Sequence, residues 1–332
     1  MTLILKKKRE AFIMKARILG TGSYAPVHVM SNDDIAKLVD TNDDWIEEHT
    51  GIRQRYLSSE GTVSMATQAA KKALDDSGIA LDEIDMILVA TVTPDYSCPN
   101  TACQIQAELG MKEVPCIDLS AACTGFVFAM NTANAYITSG MYKTILVVGA
   151  ETLSKIVDWA DRATCILFGD GAGAIVMQAS EQGIIATDMG SDGSKGMVLY
   201  AGALPLINPI VERTDRTEKL SMDGSEVFKF AVRRIPETIK ATLEKVDKTE
   251  AEVDYFILHQ ANRRIIEAAA RRLDLPIEKF PMNIDKCGNL AAASVPILLD
   301  ELNRQGRIKR GQLLMISAFG AGLGWGSALL EW

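Results

Sequence analysis

The chain has 332 residues, of which 48% are hydrophobic and 23% charged, with a formal net charge of −8. That length is roughly two domains' worth, the composition is that of an ordinary globular enzyme, and the acidic balance argues against general nucleic-acid affinity. Six cysteines (Cys98, Cys103, Cys116, Cys123, Cys165 and Cys287) form no CxxC pair, and only His28, His49 and His259 are histidines. This pattern argues against a zinc site and for a reducing, cytoplasmic setting.

Met1–Ile13 puts its apolar residues before its charges, the reverse of a secretory signal, and no small-residue cleavage site follows. Met14 immediately precedes Lys15-Ala16-Arg17-Ile18-Leu19-Gly20, which predicts a first strand. Residues 1–13 are therefore expected to be an extension outside the fold, with Met14 as the natural start. Gly20-Thr21-Gly22-Ser23-Tyr24-Ala25 formally matches a dinucleotide fingerprint, but Pro26 follows and no helix is predicted before about Asn32. The phosphate-binding geometry of a strand running straight into a helix is thus missing, which disfavours a nicotinamide-dependent dehydrogenase. Gly169 to Gly173 and Gly320 to Gly326 lack the Lys-Ser/Thr of a phosphate loop and predict tight strand connections instead.

An amphipathic helix through Ala73-Leu74 leads to the apolar run Ile84–Ala90, the pattern of a strand buried on both faces. A second helical stretch and a short strand, Val114 to Leu119, follow. Cys123 comes next, in Asp118-Leu119-Ser120-Ala121-Ala122-Cys123-Thr124-Gly125-Phe126, at the start of a long apolar helical segment. No residue from Leu119 to Tyr142 is charged, yet Asn131, Asn134 and several hydroxyl residues predict a helix inside a protein core, not a membrane span. A cysteine in the first turn of such a helix feels the positive end of its dipole, which favours thiolate. Taken alone, the same position more often marks an inert core cysteine.

A faint duplication decides where its partners lie. Ala73-Leu74 and Ile84–Ala90 align with Thr242-Leu243 and Val253–His259 at a constant offset of 169 residues. The series continues: Val114 to Leu119 corresponds to a predicted strand Phe280 to Ile284, the small-residue helix from Ala121 to one from Ala291, and Ile145–Ala150 to Leu313–Ala318. Two similar α/β halves, 14–183 and 184–332, predict a layered fold with two sheets and a pair of buried helices between them. His259 ends a strand where the first half has Ala90, and Asn289 in Cys287-Gly288-Asn289-Leu290-Ala291 precedes the second buried helix. A pseudo-twofold between the halves would bring Cys123, His259 and Asn289 together. Singly, such a histidine is more often structural, and an Asn after Gly is usually a turn residue.

The blocks DLSAACTGF (118–126), LHQANRRII (258–266) and CGNLAAASVP (287–296) resemble the three catalytic motifs of the β-ketoacyl-acyl carrier protein synthase III family. The resemblance runs over essentially all of Met14 to Trp332, including DTNDDWIEEHTGIRQR (40–55), PNTACQIQAELG (99–110), ILFGDGAGA (166–174) and AFGAGLGWGSAL (318–329). It implies a thiolase-like α-β-α-β-α fold, usually homodimeric, and a decarboxylative Claisen condensation that starts fatty acid synthesis. Cys123 would take an acyl group from acyl-coenzyme A. A neutral His259 and the amide of Asn289 would then donate to the enolate formed from malonyl-acyl carrier protein. Backbone N–H groups of Cys123 and Ala321 would form a second oxyanion hole, and no metal or redox cofactor is needed. Related subfamilies use Cys-His-His or a second cysteine, but neither His28 nor His49 lies in a suitable block.

The resemblance also implies peripheral sites. Trp45 and Arg162 would hold the coenzyme A adenine between an aromatic and a guanidinium face. His49 replaces an arginine often found there, and Ser225, in Met222-Asp223-Gly224-Ser225, replaces an asparagine that touches pantetheine beside Gly224. Cys98 stands where a Phe often closes the acyl pocket from the dimer partner, so with Phe319 it would shape a pocket for primers larger than acetyl. The acidic carrier protein would dock on basic residues: Arg264 foremost, with Lys229, Arg233, Arg234, Arg263, Arg271 and Arg272. Such clusters are commonly just solvated faces. A starter enzyme of polyketide or other secondary metabolism, or an inactive scaffold, would share much of this pattern.

Overall fold

The computed structural model describes residues 14–211 and 219–332. The expected extension, Met1–Ile13, lies outside the described residues.

The first half opens with β1 (Lys15–Tyr24) and continues into a two-stranded pairing of β2 (His28–Ser31) with β3 (Gln54–Leu57), which carries α1 (Asn32–Ile35) and α2 (Asp43–Thr50). Then come α3 (Thr62–Ser77), β4 (Met86–Ala90), α4 (Thr101–Leu109), β5 (Cys116–Leu119), α5 (Gly125–Thr138), β6 (Thr144–Thr152), α6 (Arg162–Cys165) and β7 (Asp170–Ser180). Its five-stranded sheet has the order β1-β7-β6-β4-β5. The second half runs through β8 (Ile184–Ser191), the short pair β9 (Leu199–Tyr200) and β10 (Ser221–Met222), α7 (Gly224–Glu244), β11 (Tyr255–Leu258), α8 (Arg263–Arg272), α9 (Ile284–Cys287), α10 (Ser294–Arg304), β12 (Leu313–Gly320) and β13 (Gly324–Glu331). Its sheet has the order β11-β12-β13-β8.

Layering follows from where the apolar faces lie. Helix α3 covers the outer face of the first sheet and α7 that of the second, while α5 and α10 fill the space between the sheets. Helix α5 can do without charge because Phe126, Val127, Ala129, Met130 and Ala133 are wholly buried there. Burying Phe126, Val127 and Met130 contributes roughly 1.5–3 kcal/mol each. The two formal fingerprint glycines serve packing: a Cβ on Gly20 would lie 2.3 Å from the Ser77 nitrogen, and one on Gly22 2.3 Å from the Ala69 oxygen, so α3 rests directly on β1.

The 169-residue offset recurs in three dimensions. Asp85 and Asp254 each cap the start of a neighbouring central strand, accepting from Thr144 N and Leu313 N at 2.9 and 2.8 Å. A short 3-10 turn precedes each buried helix, Ala122–Thr124 before α5 and Ala291–Ala293 before α10. Both turns begin on a left-handed alanine, Ala122 at φ 46° and Ala291 at φ 42°. Cys123 thus sits one turn ahead of α5, not on its first turn.

One expected strand does not form. Phe280 to Ile284 is irregular and runs into α9, so the second sheet has four strands against five. Pro281 has no N–H to give to a ladder. The Asn283 N–H bonds instead to the Gln260 side-chain oxygen at 3.2 Å, a contact within the same loop layer.

Gly149 on β6 marks the tightest approach between the halves, since a Cβ there would meet the Ala292 carbonyl oxygen at 2.5 Å and its carbon at 3.0 Å. Both opposing atoms are backbone and cannot swing away. Gly149→Ala is expected to lower stability by about 1–3 kcal/mol through overpacking, read as a fall in urea midpoint. An unchanged midpoint would show that the halves separate easily.

Candidate active site

Each motif residue reaches the site by a different local device. The Cys123 turn packs against β12, where a Cβ on Gly320 would stand 2.6 Å from the Cys123 Cβ and 3.3 Å from its sulfur. Glycine at 320 is what lets the cysteine sit against the strand. His259 continues β11 by one residue, donating its N–H to Ser317 O at 2.9 Å, so the parallel ladder carries the imidazole into the interior. Asn289 is pinned by its backbone, donating to Leu167 O (2.9 Å) and accepting from Gly169 N (3.1 Å). The preceding Gly288 has φ 67°, and a side chain there would strike Leu167 O at 2.8 Å.

Cys123, His259 and Asn289 line one cavity of about 120 Å³, together with Phe319 and, towards solvent, Phe228 and Asn262. Behind Cys123 lies a second cavity of about 330 Å³, walled by Val92, Leu153, Ile156, Leu220 and Ala321. Both chambers are lined mainly by apolar side chains; Cys123 belongs to both, and His259 and Asn289 face only the smaller one.

Burial governs the titration of this site. It pushes the Cys123 thiol up to about 12, with the carboxyl of Glu151 adding to the effect. The same burial drives His259 down to about 3, so its imidazole is neutral. The helix dipole was expected to favour thiolate; burial and the Glu151 carboxyl favour the thiol instead. Asn289 Oδ1 accepts from Ala291 N at 2.9 Å, which turns the Nδ2 donors towards the cavity. Among the described residues no acceptor meets them. The His259 ring also has Phe319 against it edge-on, with centroids 5.4 Å apart.

Two residues to which the sequence reading gave no role join the site. Glu151, wholly buried on β6, accepts from Val92 N (3.2 Å) and the hydroxyls of Thr91 (3.3 Å) and Thr93 (2.6 Å). Burial raises its carboxyl to about 7, against the lowering effect of those donors. It fixes the loop that places Val92 on the cavity wall. Ser294, the first residue of α10, lies 2.6 Å from His259 Nδ1. The only sequence hint for Glu151 is that it closes the apolar run Ile145–Ala150, and for Ser294 that it ends a row of alanines.

The peripheral residues separate into groups. Arg162 stacks over Trp45 at 4.7 Å, with His49 parallel to the same indole at 4.2 Å. Gly224 lines the catalytic cavity, whereas Ser225 is exposed at the first turn of α7 and lines neither cavity. Phe319 lines the catalytic chamber and not the larger one, and Ala321 lines the larger one. Cys98 is exposed and reaches neither cavity within a single chain. Arg264 is exposed at the start of α8, 5.9 Å over the Phe228 ring at the cavity mouth. Arg263 instead ties α8 to α2 through Glu47 O at 3.1 Å, and Arg234 stacks on Trp325 at 4.0 Å. Lys229 pairs with Glu226 at 2.9 Å, Arg233 is exposed on α7, and Arg271 with Arg272 occupies the far end of α8.

Among the described residues, no cluster of three His, Cys, Asp or Glu is placed to hold a metal, and no helix is long and apolar enough to cross a membrane.

A cysteine-bearing turn and a His-Asn pair meeting between two copies of one α/β motif point to a thiolase-like condensing acyltransferase. The profile described as 3-oxoacyl-[acyl-carrier-protein (ACP)] synthase III matches residues 117–193, and the one described as its C terminal matches residues 243–332. The chain belongs to the β-ketoacyl-[acyl-carrier-protein] synthase III family. It is 47% identical over 318 residues to the synthase III of Clostridium acetobutylicum, covering 95% of this chain and 98% of that one. The crystal structure of the 3-oxoacyl-[acyl-carrier-protein] synthase III from Aquifex aeolicus VF5 superposes with a TM-score of 0.90 at 46% identity, covering 96% and 100% of the two chains. The priming β-ketosynthase of the R1128 polyketide biosynthetic pathway also matches, with a TM-score of 0.90 at 34% identity over 96% of each chain.

The buried imidazole has a consequence for stability. An unfolded histidine titrates near 6.5 and folded His259 near 3, so the unfolded state binds the extra proton between these values. Stability contributed by the neutral ring is present above pH 6.5 and is lost as pH falls towards 3. His259→Gln should lose less stability than the parent between pH 7 and pH 4.5, by about 2 kcal/mol. Urea midpoints at the two pH values test this, and equal losses would refute it.

Proposed function

We propose that this chain condenses an acyl-coenzyme A primer with malonyl-acyl carrier protein, using Cys123 as the covalent carrier. The observation that carries the reading is the placement of Cys123 on two cavities, one shared with His259 and Asn289 and the other, larger one walled by Val92, Leu153, Ile156 and Leu220. The thiol attacks the primer thioester, and coenzyme A leaves as its thiol. The acyl chain then occupies the apolar cavity behind Cys123, with backbone N–H groups of Cys123 and Ala321 assigned to the thioester oxygen. Malonyl-acyl carrier protein enters the front cavity. Loss of carbon dioxide leaves an enolate whose oxygen is met by the Asn289 amide and the His259 ring, and its carbon attacks the acyl group on Cys123. Cysteine, imidazole, amide and backbone supply all the chemistry this scheme uses, with no cofactor.

Adenine fits the Trp45–Arg162 pair only if Arg162 turns aside. A purine between the two needs roughly 7 Å, two van der Waals contacts, against 4.7 Å here. Arg162 would give up its 3.1 Å bond to Asp40 O on opening. A second copy of the chain is assigned to the free edge of β5, which ends the first sheet and exposes Ile117. Helix α4 docks on that strand, Asp118 accepting from Thr101 and Ala102 N–H, so Cys98 just before it faces the same partner. The free thiols suit a reducing, cytoplasmic setting.

The 330 Å³ cavity also suits primers larger than acetyl, which keeps a priming role in polyketide assembly as the second reading. A screen of acetyl-, isobutyryl- and hexanoyl-coenzyme A separates the two readings. Intact-protein mass spectrometry after mixing with these primers should show one acyl adduct, absent in Cys123→Ser. No adduct with any primer would defeat the assignment.

Arg264 is the basic residue placed at the cavity mouth, so it is assigned to the acidic carrier protein. Arg264→Glu should raise the KM for malonyl-acyl carrier protein about 10-fold or more, the scale of a reversed interfacial charge, while sparing acyl transfer from coenzyme A. An unchanged KM would move docking elsewhere.

A further inference from the structure

Arg55 on β3 is wholly buried, yet its guanidinium bonds no carboxylate among the described residues. It donates to two backbone carbonyls instead, Ile166 O at 2.6 Å and Met30 O at 3.3 Å, and its Nε has no partner. A guanidinium has donors only and a carbonyl only accepts, so the direction of both bonds is fixed. Burial lowers the group to about 10, which still leaves it charged at neutral pH. A cation held in the interior with one donor unmet is costly. What it holds is the segment that carries Asn289.

Ile166 opens the stretch Ile166-Leu167-Phe168-Gly169. Leu167 O accepts from Asn289 N at 2.9 Å and Gly169 N donates to Asn289 O at 3.1 Å, so the Asn289 backbone lies on this stretch as on a template. The stem of Arg55 packs against both sides of that pairing. A Cβ on Gly169 would stand 3.0 Å from the Arg55 Cβ, and one on Gly288 3.2 Å from it. The neighbours of Arg55 grip the turn just before Asn289. Arg53 N donates to Asp285 O at 3.0 Å, and Gln54 Nε2 to Lys286 O at 3.3 Å. That turn, α9, has no side-chain N-cap of its own. Arg55 itself lines neither cavity, and the Cys123 turn is seated elsewhere, against Gly320 on β12. The amide and the thiol are therefore held by separate contacts.

We propose that Arg55 is a positioning residue for the condensation step, clamping residues 166–169 and Gly288 so that the Asn289 amide points into the cavity. This rests on the condensing reading above, in which Asn289 serves the enolate and not the acylation of Cys123. Loosening the clamp should separate the two half-reactions. A role confined to folding would slow both together.

Acylation is followed by intact-protein mass spectrometry after mixing with acyl-coenzyme A. Condensation is followed by loss of that adduct when malonyl-acyl carrier protein meets the desalted acyl-enzyme, so only chains competent to acylate are counted. In Arg55→Met condensation should slow roughly 10- to 100-fold, the scale of a group displaced by about 1 Å. Acylation should stay within about 3-fold of the parent. Arg55→Lys keeps a charged donor for one carbonyl and should slow condensation by less. Equal slowing of both steps, or condensation at the parent rate, would overturn the proposal; if Arg55→Met does not fold, Arg55→Lys decides by the same comparison. Nitrogen-15 spectra of the whole chain labelled at asparagine, assigned with Asn289→Asp, read the amide directly. Its resonance should shift in Arg55→Lys, and an unmoved one would equally overturn the proposal. Failure of the parent to form an acyl adduct would instead strike the condensing reading, and the amide resonance would then decide the role of Arg55 by itself.

Discussion

Each half of this molecule presses the middle of a strained turn into a glycine on the central strand of the other. Cys123 meets Gly320 on β12, and Ala292, its counterpart 169 residues on, meets Gly149 on β6. The left-handed alanines that open the turns, Ala122 and Ala291, each cost on the order of 1–2 kcal/mol. Packing from both sheets holds them there. This crossed contact fixes the distance between the sheets, buries α5 and α10, and places Cys123 at the boundary between halves. A side chain at either glycine would push the sheets apart, and the cavity exists only at that spacing.

Desolvation is the price of such a position, and it sets the charge state of the site. A thiol pushed up to about 12 and an imidazole driven down to about 3 are both uncharged at neutral pH. The site therefore rests without charge on its nucleophile or its ring, and charge develops only as bonds are made. That suits a reaction whose intermediate is an enolate, because a resting imidazolium would offer the carbanion a proton. Glu151 fits the same logic: burial raises it to about 7, and three donors hold it where it anchors the Val92 loop.

Much of this was legible in the chain because it is written as pattern. Ile84–Ala90 and Val253–His259 carry the apolar runs that only a strand covered on both faces requires, and their constant offset of 169 residues exposes the duplication. His259 ends such a run, and Cys123 and Asn289 stand just ahead of the two buried helices, so topology alone brings them near one another. Ser294 was not legible, because a serine closing a row of alanines has no pattern until the tertiary fold sets it beside His259. Arg263 and Arg264 are neighbours in the same basic block, yet one is turned inward to Glu47 O and the other outward over Phe228. Composition cannot separate them. Phe280 to Ile284 reads as a strand by analogy with the first half, but Pro281 denies it a ladder.

That lost strand shows how the duplicated fold became directional. In the first half β5 survives, accepts α4 through Asp118, and presents a free edge beside Cys98. In the second half the equivalent segment is irregular, and the Asn283 N–H turns to Gln260, next to His259. Freed of a fifth strand, the segment after β11 carries Ala261 and Asn262 to the cavity wall, and α8 then begins at the mouth with Arg264 outermost. Two copies of one motif thus diverged into unlike ends: one with an edge suited to a second chain, the other with an opening suited to a substrate on a long arm. Cys123, His259 and Asn289 share that asymmetry, since the thiol comes from the half that keeps its strand and the ring and amide from the half that lacks it.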